Sequence, residues 1–321
     1  MGRGFDSRRL HQTFEQKTHG MAATELPPLL DPVALSRAEA LGLQARFIVE
    51  GYLAGEHRSP YRGFAVEFAQ HREYTFGDDT RHLDWKVLGR TDRYYIKQYE
   101  QETNFVAHLL LDGSESMAYG SDRLTKLHYG KMMAACLAYL ILRQGDAVAL
   151  ALVDAAVRDS IPRSDNLGTF QTLVTRLATF RPQGQTQLGA VLHELAHQIR
   201  RKGIVILMSD LLDEERKVLE GLQHLRFAGH EVILFHILDP YELEFPFRGL
   251  VEFDGLEGSP KIRTRPAEIR ASYLRELEAF RARIRAGCER NQCHYVLVNT
   301  AQPLAEVLTS YLAFRRRTTA R

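Results

Sequence analysis

The sequence lacks long hydrophobic runs. No stretch of about eighteen apolar residues, the length that a membrane span needs, occurs in the chain, and residues 1–20 hold no apolar segment of the signal-peptide type. Cysteine is also scarce: the chain has three, Cys136, Cys288 and Cys293. Three is a small and odd number, which argues against a disulfide framework. These absences predict a cytoplasmic protein with reduced thiols and no membrane span.

An excess of charge of one sign is absent as well. Lys and Arg number 42 against 40 Asp and Glu, which leaves a formal net charge of +2. No field of the whole chain therefore directs it to nucleic acid or anionic lipid, and we expect no nucleic-acid partner. With 45% hydrophobic and 26% charged residues, the composition is typical of a globular protein. Function must therefore reside in a local site.

The length of the chain favours two folded units. Residues 1–32 are predicted to be a disordered leader, and Met21, which begins "MAATELPPLLDP", resembles a more natural start, so residues 1–20 are left out of the fold. Residues 33–103 are predicted to form a small N-terminal lobe, and residues 104–321 a larger α/β domain.

The N-terminal lobe is predicted to combine helix and strand. Apolar residues at helical spacing indicate one helix or two short ones over residues 33–55. Aromatic and β-branched residues then cluster at 62–68 and 93–100, around a charged loop. The lobe should therefore contain two short strands.

From residue 104 onward, strand and helix patterns alternate. Strands are predicted at 105–111, 146–153, 203–209, 230–238 and 294–299, and helices at 125–144, 167–180, 187–201, 214–229, 266–290 and 304–317; residues around "GLVEFDG" are predicted to be a loop. Several strands are almost wholly apolar, which is typical of a parallel sheet covered by helices on both faces. The pattern predicts a doubly wound, mostly parallel α/β domain.

Oxygen-bearing side chains follow these strands. Asp112, Ser114 and Ser116 lie in the stretch "HLLLDGSESMAYG" after the strand at 105–111; Thr186 opens a helix, and Asp210 directly follows the strand at 203–209. In an open α/β sheet, ligands bind at the carboxyl ends of the strands. Alternation in an extended loop would point the three side chains at 112, 114 and 116 the same way.

Such a set of oxygens suits a hard divalent cation, which needs oxygen ligands and keeps some positions for water or a partner. Two carboxylates balance the charge of the ion, and three hydroxyls are neutral donors. Each residue alone is also typical of a turn or a helix cap, so only their coincidence indicates a site. We expect Asp112 at the rim, outside the core, so that its replacement by alanine would leave the fold largely intact.

The order Asp-x-Ser-x-Ser, Thr, Asp resembles the metal-ion-dependent adhesion site of von Willebrand factor type A domains. The segment "REYTFGDDTRHLDW" further resembles the domain-of-unknown-function 58 (DUF58) family, in which such a series precedes a domain of that type. The resemblance implies a site for Mg²⁺, or Mn²⁺ or Ca²⁺, in which Ser114, Ser116 and Thr186 are direct ligands and Asp112 and Asp210 act directly or through water. An acidic side chain of a partner would be a further ligand. It also implies a non-enzymatic adaptor of a MoxR-type AAA+ ATPase that assembles or remodels other proteins.

A second charged stretch surrounds the single tryptophan of the chain. Two interpretations remain open for it: a surface that docks a partner, and a seam of ion pairs between the lobe and the α/β domain. The residues concerned are Arg72, Asp78, Asp79, Arg81, Asp84 and Trp85.

The alternative function is a metal-dependent hydrolase. The sequence His193-Glu194-Leu-Ala-His197 matches the zinc-protease pattern literally, but no third ligand follows it. Hydrolysis at Asp112 would need a general base that the sequence does not indicate. Cys288, Cys293 and His294 lack the second ligand pair of a structural zinc site. We therefore expect a binding protein without catalytic residues.

Overall fold

The computed structural model describes residues 29–30, 66–73, 87, 89, 93–101, 106–253 and 261–319. The chain divides into two compact units, Glu56–Asn104 and the rest. The predicted leader, apart from residues 29 and 30, and the predicted helix at 33–55 lie outside the described residues. Among the described residues, no helix is long and apolar enough to cross a membrane.

In the smaller unit, β1 (Val66–Glu73) pairs with β2 (Tyr95–Gln101) in antiparallel register, with an irregularity between Phe68 and Gln70. The second strand lies close to its predicted range. The first extends to residue 73, beyond the predicted end at 68, because polar residues such as those in "AQHRE" weaken the apolar signal without preventing backbone pairing.

The larger unit alternates strands and helices. Its strands are β3 (Val106–Asp112), β4 (Ala147–Val153), β5 (Val157–Ser164), β6 (Ile204–Ser209), β7 (Glu231–Leu238), β8 (Val251–Phe253), β9 (Ile262–Thr264) and β10 (His294–Asn299). Its helices are α1 (Lys126–Arg143), α2 (Thr169–Thr179), α3 (Leu188–Gln198), α4 (Glu215–Phe227), α5 (Pro240–Glu244), α6 (Pro266–Arg290) and α7 (Leu304–Thr319).

Six of these strands form one sheet in the order β10-β7-β6-β3-β4-β5. Every neighbouring pair is parallel except β4 and β5, which are antiparallel. The predicted fold class, a doubly wound and mostly parallel α/β sheet, is confirmed. The apolar pattern does not predict β5, since this edge strand reads "VRDSIPRS" and buries few side chains.

Helices cover both faces of the sheet. On one face α1, α2 and α7 pack against inward side chains such as Leu109 and Leu111, and on the other α3, α4 and α6 pack against side chains such as Leu110. Successive residues of β3 thus enter opposite cores, which explains why the strand is a continuous apolar run. The carboxyl ends of β3 and β6, in the middle of the sheet, become the place where polar loops can meet.

The segment after β7 is more ordered than predicted. The region expected to be a loop contains α5 and the antiparallel pair β8–β9. Phe245, Phe247, Phe253 and Tyr273 pack against one another there, with ring centroids of successive pairs 4.5 to 5.9 Å apart. Aromatic packing between residues far apart in the chain gives no periodic signal in the sequence, so the prediction of a loop was wrong.

Candidate metal site at the carboxyl edge of the sheet

The loop after β3 brings three of the predicted oxygens together. Asp112 is the last residue of β3, and its Oδ1 accepts a hydrogen bond of 2.9 Å from the backbone N–H of Ser114. The Oγ atoms of Ser114 and Ser116 lie 3.0 Å apart. The loop is not extended as predicted, because Ser114 precedes a short 3₁₀ turn at Glu115–Ala118. The turn, rather than strand alternation, makes the two hydroxyls neighbours.

Backbone hydrogen bonds join the Thr186 loop to this one. The N–H of Glu115 donates to the carbonyl of Gly184 (3.0 Å), and the N–H of Gln183 donates to the carbonyl of Gly113 (2.9 Å). Gly184 has a φ of 68°, a conformation that favours glycine. A Cβ at Gly113 would collide with the ring of Phe180. Two glycines therefore allow the close approach of the loops.

The end of β6 places Ser209 and Asp210 at the same edge of the sheet. The hydroxyl of Ser209 donates to Asp112 Oδ2 at 2.6 Å, and the next residue is Asp210. Leu211 has a φ of 60° and donates its N–H to Ser209 Oγ at 2.9 Å. A left-handed leucine costs on the order of 1–3 kcal/mol and persists only where its surroundings impose it. The strained turn fixes the carboxylate of Asp210 at the edge.

A buried ion-pair network that the sequence does not predict surrounds Asp210. The ammonium of Lys126 lies 2.8 Å from Asp210 Oδ2 and 2.7 Å from Glu242 Oε1, and all three side chains are 2% exposed or less. Glu242 accepts from the N–H of Asp239, which itself caps α5. Asp239 directly follows β7, so the strand-end rule applied to that strand would have found it. No local pattern indicates the pairing of Lys126 with Glu242.

The electrostatics of the site are those of crowded carboxylates. Burial and the charge of Asp210 raise the pKa of Asp112 to about 7, against the hydrogen bonds from Ser209 and Ser114 that lower it. Burial alone would lower the pKa of Lys126, but the carboxylates of Asp210 and Glu242 raise it above its ordinary value. The ammonium therefore stays charged, while Asp112 and Asp210 repel each other.

All five predicted ligands are buried. Asp112, Ser114, Ser116 and Asp210 are at most 1% exposed, and Thr186 is 7% exposed. The expectation that Asp112 lies at the rim outside the core is wrong, because β4 and β6 flank its strand in the middle of the sheet. Its replacement by alanine would leave the Ser209 hydroxyl without its partner inside the protein.

Thr186 supplies an independent indication of a ligand. Its Oγ1 is buried and makes no hydrogen bond to the part of the protein that the structure describes. A buried hydroxyl without a partner costs about 1–3 kcal/mol, so such groups ask for an explanation such as an ion or water. Two carboxylates, two adjacent serine hydroxyls and this unpartnered threonine hydroxyl form a donor set that fits a divalent cation with oxygen ligands.

The residues of the predicted charged seam lie almost wholly outside the described residues. Only the backbone of Arg72 is described, in β1 opposite Ile96. Asp78, Asp79, Arg81, Asp84 and Trp85 are not among the described residues, and both interpretations of that stretch remain predictions.

The zinc-protease match lies on a helix surface. His193 and His197 are exposed on α3, and His193 Nδ1 lies 2.5 Å from Nδ1 of His224 on α4. Glu194 accepts a hydrogen bond from Gln198. In the part of the chain that the structure describes, no group of three or more His, Cys, Asp or Glu side chains is arranged to hold a metal ion. The pattern thus gains no support as a zinc site.

The three cysteines are buried and form no disulfide among the described residues. Burial raises the pKa of both Cys288 and Cys293 to about 12, so these thiols stay protonated and are poor metal ligands. His294 lies 3.7 Å from a carboxylate oxygen of Glu231. These surroundings give no support to a zinc site at Cys288, Cys293 and His294.

Comparison with known proteins places this chain among sequence relatives. The model of the family described as "Protein of unknown function DUF58" matches residues 70–283, two thirds of the chain. The uncharacterised protein Rv1480 of Mycobacterium tuberculosis is 25% identical over 293 residues, which cover 89% of this chain and 91% of that protein. An uncharacterised protein of Mycobacterium bovis, Mb1516, matches with the same identity and coverage.

Two solved structures are similar at low identity. The conserved hypothetical protein BatB from Bacteroides thetaiotaomicron is 15% identical, with a TM-score of 0.42 over 66% of this chain and 99% of that one. The VWA domain of SpRpn10 is also 15% identical, with a TM-score of 0.38 over 64% of this chain and 94% of that one. Because the family model matches two thirds of its length, this chain belongs to the DUF58 family.

Proposed function

We propose that this protein is a non-enzymatic binding module whose carboxyl-edge site holds a divalent cation, with Mg²⁺ as the first candidate and Mn²⁺ or Ca²⁺ as alternatives. Asp112, Ser114, Ser116, Thr186 and Asp210 would hold the ion. When bound, such a cation supplies positive charge and an open coordination position for an oxygen of another molecule. The observation that carries the proposal is the buried hydroxyl of Thr186, which has no partner among the described residues, in a segment joined to the loop that follows Asp112, whose carboxylate is repelled by that of Asp210.

Binding of a partner, rather than hydrolysis, suits the chemistry of this edge. The imidazole of His236, which lies beneath Asp210, is already engaged by the carbonyl of Asp210 (3.1 Å) and the hydroxyl of Tyr295 (2.8 Å). It is fully buried and therefore poorly placed to act as a general base for a water at the site. An acidic side chain of a partner protein is the ligand that a cation held by only two carboxylates favours.

The route to the site is indicated by exposure. Thr186 is the most exposed of the five proposed ligands, while the others lie at 1% or less. A partner's carboxylate would therefore approach from the side of the Thr186 loop. In keeping with the family resemblance, we propose a MoxR-type AAA+ ATPase as the partner, in a cytoplasmic complex that assembles or remodels other proteins.

The metal is tested by thermal unfolding with and without Mg²⁺. Ligand at about 100 times its Kd stabilises a folded protein by roughly 2.7 kcal/mol, so wild type should unfold at a clearly higher temperature with Mg²⁺. Asp112→Asn should lose this effect because it removes one of the two charges, while Asp165→Asn, an exposed aspartate away from the site, should keep it. An equal Mg²⁺ effect in Asp112→Asn and wild type would refute the metal role.

The partner is tested with the same variants. The purified protein should bind its MoxR-type ATPase in Mg²⁺, and binding should fall at least about tenfold with a chelator or with Asp112→Asn. Asp165→Asn should behave like wild type. If neither the chelator nor Asp112→Asn weakens binding, the partner binds at a site other than the carboxyl edge.

A further inference from the structure

Lys126 lies beside the proposed cation site and carries a charge of the same sign. The Lys126 side chain is 1% exposed, and its ammonium forms an ion pair with Asp210 Oδ2 at 2.8 Å. Among the described residues, the other oxygen of Asp210, Oδ1, accepts a single long hydrogen bond of 3.3 Å, from the N–H of Leu212. One oxygen of this carboxylate is thus committed to a cation of the chain itself, and the other is weakly held.

Glu242 offers the same ammonium a second, fixed partner. Its Oε1 lies 2.7 Å from Lys126 Nζ, and its Oε2 accepts from the N–H of Asp239 at 2.8 Å. Asp239 in turn accepts from the N–H of Tyr241, and together these contacts make a reciprocal cap on α5. The carboxylate of Glu242 cannot turn away without breaking the cap, so it stays in place beside Lys126.

We propose that Lys126 is a resident counter-ion of the metal site: it competes with the divalent cation for Asp210, and Glu242 is the carboxylate that retains its ammonium when the cation binds. This inference rests on the proposed function and states how that site is tuned. It assigns roles to two residues outside the five proposed ligands. These two residues, Lys126 and Glu242, lie 116 positions apart in the chain.

The competition follows from Coulomb's law. Like charges a few ångströms apart in a poorly solvated site repel by several kcal/mol even at an effective dielectric constant of about 20. Lys126 therefore weakens cation binding at Asp210, and Glu242 limits that weakening because it shares the ammonium. Removal of the ammonium should tighten binding, and removal of the charge of Glu242 should weaken it.

The experiment is calorimetric titration of Mg²⁺ into four proteins: wild type, Lys126→Met, Glu242→Gln and the double variant. Lys126→Met should bind Mg²⁺ at least about tenfold more tightly than wild type, and Glu242→Gln at least about threefold more weakly. In the Lys126→Met background, Glu242→Gln should have little effect, because its influence passes through the ammonium. Lys131→Met is the control, since Lys131 is buried on the same helix but donates to the carbonyl of Phe180.

The outcomes separate the two proposals. If wild type binds Mg²⁺ and folded Lys126→Met binds it equally or more weakly, the counter-ion role is overturned and the metal site stands. The role is also overturned if Glu242→Gln weakens binding equally in both backgrounds. If neither wild type nor Lys126→Met binds Mg²⁺, the proposed function itself fails, and this inference fails with it.

Glu242→Gln keeps the test decisive if Lys126→Met does not fold. Glutamine retains an oxygen that can accept from Asp239, so α5 should keep its cap. Folded Glu242→Gln that binds Mg²⁺ as tightly as wild type, or more tightly, would overturn the role of Lys126.

Discussion

The two ends of the parallel sheet both bury ionisable side chains, but they treat the charge in opposite ways. At the carboxyl end, Asp112 and Asp210 lie close enough to repel, and Lys126 forms ion pairs with Asp210 and Glu242. Near the amino ends of β3 and β7, His108 and His230 lie with ring centroids 6.1 Å apart. Burial lowers the pKa of His108 to about 4 and lowers that of His230 as well.

The difference supports the proposal of a ligand site at the carboxyl end. A histidine pair avoids the cost of burying charge by staying neutral, which is an ordinary structural solution. The carboxylates at the other end are held together by a serine hydrogen bond, a strained turn and an ammonium, although burial penalises their charge. An arrangement that keeps charges together against this penalty is typical of a functional site.

The largest expected effect comes from breaking the charged end. Lys126→Ala removes the ammonium from two buried carboxylates and should lower the free energy of unfolding by about 3–5 kcal/mol without Mg²⁺, since uncompensated buried charges are strongly destabilising. Urea unfolding in the presence of a chelator measures this. A loss below about 1 kcal/mol would show that the carboxylates there do not depend on Lys126.

The buried histidine pair near the amino ends of the strands should make the stability of the protein fall in acid. In the folded state His108 has a pKa of about 4, below its ordinary 6.5, so the unfolded chain binds the proton first. Its contribution is therefore fully present above pH 6.5 and is lost as the pH falls from 6.5 toward 4. The loss should reach about 3 kcal/mol.

His108→Leu should remove this part of the pH dependence in urea unfolding curves taken between about pH 7.5 and about pH 4.5, from roughly one unit above the ordinary histidine pKa to roughly two units below it. His197→Leu, which changes an exposed histidine on α3, is the control and should leave the curve as in wild type. If His108→Leu loses as much stability at low pH as wild type, the burial of His108 is not the cause of that loss.

The smallest expected effect comes from Tyr295→Phe, which tests whether the site at the carboxyl end includes His236. Tyr295→Phe removes the hydroxyl that bonds His236 Nδ1 at 2.8 Å, while His236 Nε2 keeps its contact with the carbonyl of Asp210. The free energy of unfolding should fall by about 1 kcal/mol, as for one hydrogen bond, with the Mg²⁺ effect retained. Thermal unfolding with and without Mg²⁺ tests both parts, and loss of the Mg²⁺ effect would extend the site to His236.

Much of the fold could be predicted because its signals are local. The apolar runs of β3, β6 and β7 and the helical spacing of α1, α4 and α6 are visible in short windows of sequence. The edge strand β5 and the pair β8–β9 could not, since a polar or three-residue strand has no periodicity of its own. The predicted site residues came from a positional rule for parallel sheets, and that rule applied to β7 would also have reached Asp239.

The geometry within the site was less predictable. The expected extended loop proved to be a 3₁₀ turn, and the expected rim position of Asp112 proved to be fully buried. Both errors have one cause: a single strand with its loop does not reveal which neighbours will cover it.

The sequence by itself determined the alternation of strands and helices, the two-faced core and the identity of the oxygens at the strand ends, because each depends on residues near one another in the chain. Only the tertiary structure decided that Ser209 bonds Asp112 across 97 residues and that Lys126 joins Asp210 to Glu242 across 84 and 116. These contacts depend on which strands become neighbours and how deeply the edge is buried. Long-range placement of this kind sets the charge of the site, and the charge sets what the site can bind.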